Sequence, residues 1–157
     1  MKSIDSLGEI ILASKSPRRK EILEKIDLDF KVIPSNVIED FDKSKPSIFV
    51  QTCALEKSKK ISLENSKNYV IGADTVVVLN KTIFEKPSNT NECREMLRLL
   101  SGKVHKVFTG VSIQNLDKKI SKSFYCMTEV ELNKISEDII EHYIDKYDPY
   151  DKAGSYG

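Results

Sequence analysis

The sequence lacks tryptophan and is poor in the residues that mark specialised classes of protein. Its 157 residues include three cysteines, two histidines and six glycines. An odd number of cysteines without paired spacing argues against a disulfide framework and favours a reducing compartment, so we expect a cytoplasmic protein. His105 and His142 are far apart and lack the spacing of zinc ligands. Residues 1–9 contain no apolar stretch, and we therefore expect no secretory signal there.

Long apolar runs and an excess of one charge are also missing from the sequence. No stretch approaches the roughly 18 apolar residues of a membrane-spanning helix, so we expect no membrane association. The 25 cationic and 24 anionic residues give a net charge of +1, whereas a general nucleic-acid binder is usually more basic. The chain is 39% hydrophobic, which is enough for a core, and its length predicts a single domain over residues 1–157.

The spacing of apolar residues predicts that helices and strands mix throughout the chain. We predict strands over residues 9–13, 29–33, 69–79, 82–84, 104–113 and 120–132. We predict helices over residues 17–26, 47–65 and 90–100, and a last helix that Ser136 caps. Residues 34–46 and the tail from 148 onwards are predicted loops. This mixture predicts an α/β fold with a mixed sheet.

Several apolar positions should contribute to the core of this fold. Cys53, Cys93 and Cys126 each fall at an apolar position of the local pattern, which predicts core packing. Apolar residues alternate along the strand 120–132, as they do in a strand whose two faces differ. The last helix carries four apolar residues that we expect to face inward: Ile139, Ile140, Tyr143 and Ile144.

Residues 12–23 read LASKSPRRKEIL and place serines and arginines between a short strand and a helix. Ser16 is suited to cap that helix, and Pro17 is suited to its first position. Arg18 and Arg19 then lie in the first helical turn, where the helix dipole prefers anions. A phosphate there would meet backbone N–H groups, hydroxyls and a guanidinium, so the stretch predicts polyphosphate binding. A proline-directed phosphorylation site and a minor-groove basic tag are the alternatives.

Two charged residues interrupt apolar patterns. Lys57 lies within the apolar stripe of the helix 47–65, so it either snorkels to solvent or faces an internal site. Asp74 lies inside the apolar stretch VIGADTVVVL. Either a bulge after Gly72 turns the carboxylate of Asp74 to water, or this carboxylate holds a metal or activates water at a break in the strand.

Two further charged residues complete a set that suits phosphoryl chemistry. Glu39, in the loop 34–46, is either a second carboxylate of the site or an ordinary surface acid. Lys86, just beyond the predicted hairpin, can bring a second lysine near Asp74. Cations for phosphates and carboxylates for Mg²⁺ are the usual equipment of phosphoryl transfer. The sequence contains neither GxxxxGKS nor GxxxxGKT, so we expect no P-loop.

The order of these motifs resembles the Maf family of nucleoside triphosphate pyrophosphatases, which are also called septum-formation-inhibitor-like proteins. The matching stretches cover nearly the whole chain: LASKSPRRKEIL at 12–23, IED at 38–40, ALEKSKKI at 54–61, IGADTVVVLNKTIFEKP at 71–87, MLRLLSGKVHKVFTGVSI at 96–113 and DKAGSYG at 151–157. Each stretch alone is a weak signal, but their combination in this order is specific to the family.

The resemblance implies a fold, an activity and a cofactor. It implies a mixed sheet flanked by helices with a central cleft, similar to the inosine triphosphate pyrophosphatases. The implied reaction cleaves between the α- and β-phosphates and yields a nucleoside monophosphate and pyrophosphate. It requires a divalent cation, Mg²⁺ or Mn²⁺. Asp74-Thr75 is similar to the dTTP/UTP subgroup, and modified nucleotides stay open as further substrates.

The resemblance also gives roles to individual residues, most of which stand out on physical grounds as well. We expect four residues to be catalytic: Asp74, Glu39, Lys57 and Lys86. We expect Asp74 and Glu39 also to bind the metal, with the choice between base and metal ligand left open. We expect five residues to bind the substrate: Ser14, Ser16, Arg18, Arg19 and Thr75. Of the two arginines, we expect Arg18 to turn into the site, because it directly follows Pro17 and lies nearer the free backbone N–H groups.

Other interpretations and two departures from the family pattern remain. A nucleotide-binding regulator of cell division without turnover is the main alternative, but a pure binder gains nothing from Asp74 beside a triphosphate.

Ile38 stands where the family commonly has an aspartate. The chain ends at AGSYG, where family members continue, so we expect it to lack the family's C-terminal segment. Whether the protein forms a homodimer is a question that the sequence leaves open.

Overall fold

The computed structural model describes residues 8–157, and the expected absence of a secretory signal falls largely outside this range. Within it, helices and strands follow one another in this order: β1 Ile10–Leu12, α1 Pro17–Glu24, β2 Phe30–Val32, α2 Pro46–Ser62, β3 Tyr69–Leu79, β4 Thr82–Phe84, α3 Thr90–Leu100, β5 Val104–Asn115, β6 Ile120–Glu131 and α4 Glu137–Tyr147. Two short 3-10 turns, Pro149–Asp151 and Ala153–Ser155, lie where we predicted only loop.

The strands form one mixed sheet with the order β2-β1-β3-β5-β6, and β4 pairs with β3 outside this path. β1 runs parallel to both of its neighbours, with Ile10 opposite Phe30 on β2 and opposite Tyr69 on β3. β4 runs antiparallel to β3 in a tight hairpin. The predicted α/β class and the mixed sheet flanked by helices are therefore confirmed.

The chain divides into two compact units. The first contains the residues up to Asp74 together with Thr109–Tyr125, and the second contains Thr75–Phe108 and Cys126–Gly157. The long strands β3, β5 and β6 contribute residues to both units. The predicted single domain over residues 1–157 and the predicted central cleft stay predictions.

Each unit has its own apolar core. In the first unit, Ile11 and Ala13 pack with Ile61 of α2 and Val70 of β3. In the second unit, one cluster joins the β3–β4 hairpin to α3 and contains Val77, Leu79, Phe84, Met96 and Leu100. A neighbouring cluster joins α3 to α4 and contains Cys93, Leu97, Ile140 and Ile144. No helix among the described residues has the length and apolar character that crossing a membrane requires.

Helix α2 lies directly against strands β3 and β5. A β-carbon added at Gly72 of β3 would lie 2.2 Å from the carbonyl oxygen of Ala54. One added at Gly110 of β5 would lie 2.3 Å from the carbonyl oxygen of Val50. The predicted interruption at Gly72 is therefore wrong, because β3 continues unbroken through this residue. Glycine is needed here for the close approach of a helix backbone.

Several predictions about apolar faces fail at the surface. Helix α1 has no buried residue, and its Ile22 is exposed, although Ile22, Leu23 and Ile26 have the spacing of one helix face. Cys126 is exposed on β6, so the prediction of core packing is wrong for it and confirmed for Cys53 and Cys93. Ile139 is exposed, whereas Ile140 and Ile144 are buried as predicted. Periodicity shows which face an element could bury, but the elements that pack against it decide whether it is buried.

The contact at Gly110 gives a prediction for stability. Gly110→Ala should lower the free energy of unfolding by about 1–3 kcal/mol, because its methyl group would overlap the α2 backbone and overpacking typically costs this much. Gly157→Ala is the matched control, since its β-carbon would meet only the flexible side chain of Lys152. Urea denaturation of both variants measures the difference. Equal stability of the two variants would contradict the close packing of α2.

Candidate active site

Five of the nine predicted site residues form one connected group in the first unit. They come from separate parts of the chain: Ser14 after β1, Arg19 on α1, Glu39 in the loop before α2, Lys57 on α2 and Asp74 on β3. The loop residue Glu39 belongs to this group through its ion pair with Lys57. Glu39 is therefore part of this group, although its side chain is 34% exposed, and its catalytic role stays a prediction.

Lys57 lies at the centre of the group. Its Nζ lies 2.7 Å from Oδ1 of Asp74 and 2.8 Å from Oε1 of Glu39. The same nitrogen donates to the backbone carbonyl of Ala73 at 3.4 Å. Lys57 is only 9% exposed, so it faces an internal site and does not snorkel to solvent. One ammonium group thus bridges two carboxylates.

Asp74 is a buried carboxylate on a continuous strand. It is 6% exposed, and β3 carries it without a break, so the bulge that would turn it to water is wrong. Burial raises the pKa of the Asp74 carboxyl, the charge of Lys57 opposes this rise, and the charge of Glu39 adds to it. Because burial outweighs the nearby cations, the ionised form of Asp74 is stronger as a base than an ordinary aspartate.

Ser14 and Arg19 link the start of α1 to β3. The Oγ of Ser14 accepts hydrogen bonds from the backbone N–H of Ser16 at 3.2 Å and from Nη1 of Arg19 at 3.0 Å. The same Nη1 donates to the carbonyl of Ala73 at 2.8 Å. Ser16 occupies the predicted N-cap position, but its side chain makes no capping hydrogen bond. The hydroxyl that satisfies a backbone N–H at this helix start therefore belongs to Ser14.

Arg19 is an arginine for which the structure shows inward contacts, and the expected inward turn of Arg18 stays a prediction. Burial lowers the pKa of the Arg19 guanidinium, whereas the charges of Asp74 and Glu39 raise it. A guanidinium remains charged under such conditions. Arg19 thus adds a second, partly buried cation near the Lys57 ammonium, and both donate to the carbonyl oxygen of Ala73.

The other four predicted residues lie around this group or in the second unit. Ser16 and Arg18 are partly buried at the start of α1. Thr75 follows Asp74 on β3 and is partly buried, and Lys86 is exposed beyond β4. Thr75 and Lys86 both belong to the second unit. The roles of these four residues stay predictions.

Sequence reasoning missed Cys53 as a member of the group. Its Sγ and one carboxylate oxygen each of Glu39 and Asp74 all lie within 4.8 Å of one another. We predicted only core packing for Cys53, and it is indeed buried. The missed signal is its spacing, because residues four apart share a helix face and Cys53 precedes Lys57 by four positions.

The carboxylates of Glu39 and Asp74 fit a divalent cation. Carboxylate oxygens are the ligands that Mg²⁺ prefers, and Mn²⁺ accepts them too. Each carboxylate has a second oxygen besides the one that Lys57 contacts. The donor chemistry of these two residues therefore agrees with their predicted role as metal ligands.

Comparisons with known proteins identify the family. The model of the Maf-like protein family matches residues 9–157, so the chain belongs to this family. It is 46% identical to a dTTP/UTP pyrophosphatase of Bacillus cereus strain G9842, over 96% of this chain and 78% of that protein. It is 47% identical to a dTTP/UTP pyrophosphatase of Bacillus mycoides strain KBAB4, with the same coverage.

A solved structure also resembles the chain more distantly. The Staphylococcus aureus Ham1 protein matches with a TM-score of 0.42 and 20% sequence identity. The match covers 78% of this chain and 71% of that protein. The α/β class assigned above rests on the strand pairing of the chain itself.

The central position of Lys57 gives a pH-dependent prediction. Lys57→Met removes the ammonium that opposes the raised pKa of Asp74, so this pKa should rise further. At a pH above that pKa, the folded variant must hold the ionised carboxylate of Asp74 without its main cationic partner. Removing one partner of a buried ion pair lowers the free energy of unfolding by about 3 kcal/mol. The penalty should disappear as the pH falls and Asp74 is protonated in the folded protein.

The measurement is urea denaturation of Lys57→Met and the parent at pH 8 and pH 5. We expect the variant to lose more stability at pH 8 than at pH 5. Lys59→Met is the matched control, since Lys59 is an exposed lysine of the same helix, and it should change little at either pH. An equal loss for Lys57→Met at both pH values would contradict the proposed electrostatic role.

Proposed function

We propose that this protein is a nucleoside triphosphate pyrophosphatase that hydrolyses dTTP and UTP to the monophosphate and pyrophosphate. The observation that carries the proposal is the bridging of two carboxylates by the buried Lys57, next to a second cation, Arg19. Membership of the Maf-like family supports it, as do curated relatives that are named dTTP/UTP pyrophosphatases. The pair Asp74-Thr75 resembles the corresponding pair in the dTTP/UTP subgroup, which agrees with this choice of substrate.

The start of α1 is the proposed binding site for the triphosphate. Backbone N–H groups at a helix start and the positive end of the helix dipole favour a phosphate. Arg19 is already oriented by Ser14 and by the carbonyl of Ala73, so little side-chain entropy would be lost when it binds a phosphate oxygen. Ser14, Ser16 and Arg18 complete the proposed contacts.

Asp74 is the proposed general base. Burial raises its pKa, which makes its carboxylate better able to accept a proton from water near neutral pH. The water oxygen would form a bond to the α-phosphorus while the bond to the bridging oxygen breaks, so the electron pair leaves with pyrophosphate. The water proton would pass to Asp74. Lys57 and Lys86 would stabilise the negative charge that develops on the phosphates.

The proposal includes a divalent cation, Mg²⁺ or Mn²⁺, held by Glu39 and Asp74. When bound, this cation would supply Lewis-acid stabilisation of charge on the phosphates. Lys57 holds the same two carboxylates in place, which keeps their oxygens converged before the cation arrives. A cytoplasmic location and a homodimer stay predictions.

The products test the position of cleavage. With dTTP or UTP and Mg²⁺, we expect the monophosphate and pyrophosphate in equal amounts, because the scheme breaks the bond between the α- and β-phosphates. Anion-exchange chromatography of the reaction mixture separates these products from the alternatives. A nucleoside diphosphate with orthophosphate would contradict the scheme, and no turnover of any nucleotide would favour the regulator without catalysis.

Asp74→Asn tests the base. Turnover should fall by about a hundredfold or more, since a positioned general base is typically worth this much. The variant should stay folded, because Lys57 keeps its ion pair with Glu39, and because the raised pKa means that the ionised carboxylate of Asp74 itself costs folding stability above that pKa. Asp145→Asn, at an exposed aspartate of α4, is the matched control and should keep both its turnover and its fold. Turnover of Asp74→Asn close to that of the parent protein would contradict the proposed role of Asp74 as the general base.

A further inference from the structure

The sulfur of Cys53 lies among the ligand atoms of the proposed metal site. Cys53 is completely buried on α2, with an exposed fraction of 0%. Its Sγ and the carboxylate oxygens of Glu39 and Asp74 lie within 4.8 Å of one another. Within residues 8–157 this is a group of three metal-ligating side chains from a helix, a loop and a strand. A third ligand of different chemistry changes which cation the site prefers.

Sulfur and oxygen ligands select different metals. Mg²⁺ takes oxygen ligands and avoids sulfur, whereas Zn²⁺ and Co²⁺ accept thiolates together with carboxylates. Zinc binds sulfur at about 2.3 Å and carboxylate oxygen at about 2.1 Å, so such ligands lie about 3.6 Å apart around a tetrahedral ion. The three atoms of this group would have to move by about 1 Å at most to reach that geometry.

Two members of this group, Glu39 and Asp74, already converge on one positive charge. The Lys57 ammonium contacts both carboxylates at 2.7–2.8 Å, which shows that their oxygens converge on one positive charge. Two carboxylates and a thiolate would carry three negative charges. The Lys57 ammonium and the Arg19 guanidinium balance the two carboxylates, so the thiolate that metal binding creates would add a negative charge without a partner. A divalent cation with affinity for sulfur would compensate the set more completely than Lys57 does.

We propose that Cys53, Glu39 and Asp74 form a binding site for a thiophilic divalent cation such as Zn²⁺ or Co²⁺, with Cys53 as the residue that selects it over Mg²⁺. The inference rests on the proposed use of Glu39 and Asp74 as metal ligands. Binding forms a bond between the cation and the sulfur and releases the thiol proton to solvent. Such a cation competes with Mg²⁺ for the same carboxylates and thereby regulates the proposed activity.

The test is a titration of the full chain with Co²⁺ in the absence of nucleotide. A cobalt–thiolate bond gives a charge-transfer absorption band in the near ultraviolet, and we expect this band in the parent protein. Cys53→Ser should abolish it. Cys126→Ser is the matched control, since Cys126 is exposed on β6, and it should keep the band. The Lys57→Met variant lacks the ammonium that competes for the two carboxylates. It should therefore bind Co²⁺ at least about tenfold more tightly than the parent protein.

The outcomes separate this inference from the proposed function. A missing band in the parent, or a band that survives in Cys53→Ser, would overturn the inference. If Cys53→Ser does not fold, as judged by circular dichroism, Cys53→Ala replaces it, because alanine keeps the apolar character of this completely buried position. That variant should bind Co²⁺ more weakly, and unchanged affinity would overturn the inference. Pyrophosphate release from dTTP with Mg²⁺ is measured separately, so a missing band with intact release leaves the proposed function standing.

Discussion

The contact between the backbone of α2 and the strands β3 and β5 is the constraint on which the candidate site depends. Ala54 and Ser58 face β3 at Gly72, where no side chain separates helix from strand. Cys53 and Lys57 each precede one of these residues by one position, so they lie beside the contact. From there both reach the neighbourhood of Asp74, which follows Gly72 by two residues. Gly72 thus permits the close approach of α2 that brings Lys57 to Asp74.

This contact also explains the electrostatics of the site. A buried carboxylate is stable only with partners, and the fixed position of α2 brings the Lys57 ammonium to Asp74 and Glu39. A polyphosphate would attract the same ammonium. If the substrate draws the charge of Lys57 towards its own oxygens, Asp74 is less compensated and its pKa rises further. In the proposed mechanism, substrate binding would therefore strengthen the base that activates water.

Much of the fold follows from local patterns in the sequence. The hairpin at Asn80 and the helix Thr90–Leu100 match their predicted bounds, because turn residues and an amphipathic stripe are local signals. The exposed faces of α1 and β6 were not predictable in this way. Ile22 and Cys126 follow apolar patterns, yet both are exposed. Their burial depends on neighbours distant in the sequence, which periodicity does not contain.

The candidate site shows the same division between local and distant information. Lys57 and Asp74 stood out because a charge inside an apolar pattern is costly unless it has a partner. Their pairing with each other and with Glu39 required the structure, since these residues come from a helix, a strand and a loop. The contacts of Arg19 also required the structure, because they depend on Ser14 and on the carbonyl of Ala73, which is distant in the sequence. Cys53 looked like an ordinary core residue for the same reason.

The central claim is that Asp74 and Lys57 act directly on the triphosphate. A crystal structure with a non-hydrolysable dTTP analogue, in which a methylene group replaces the oxygen between the α- and β-phosphates, tests it most directly. The account predicts that Asp74 lies within hydrogen-bond reach of the α-phosphate through one water molecule, and that Lys57 contacts a phosphate oxygen. An analogue whose phosphates contact neither residue would contradict the account.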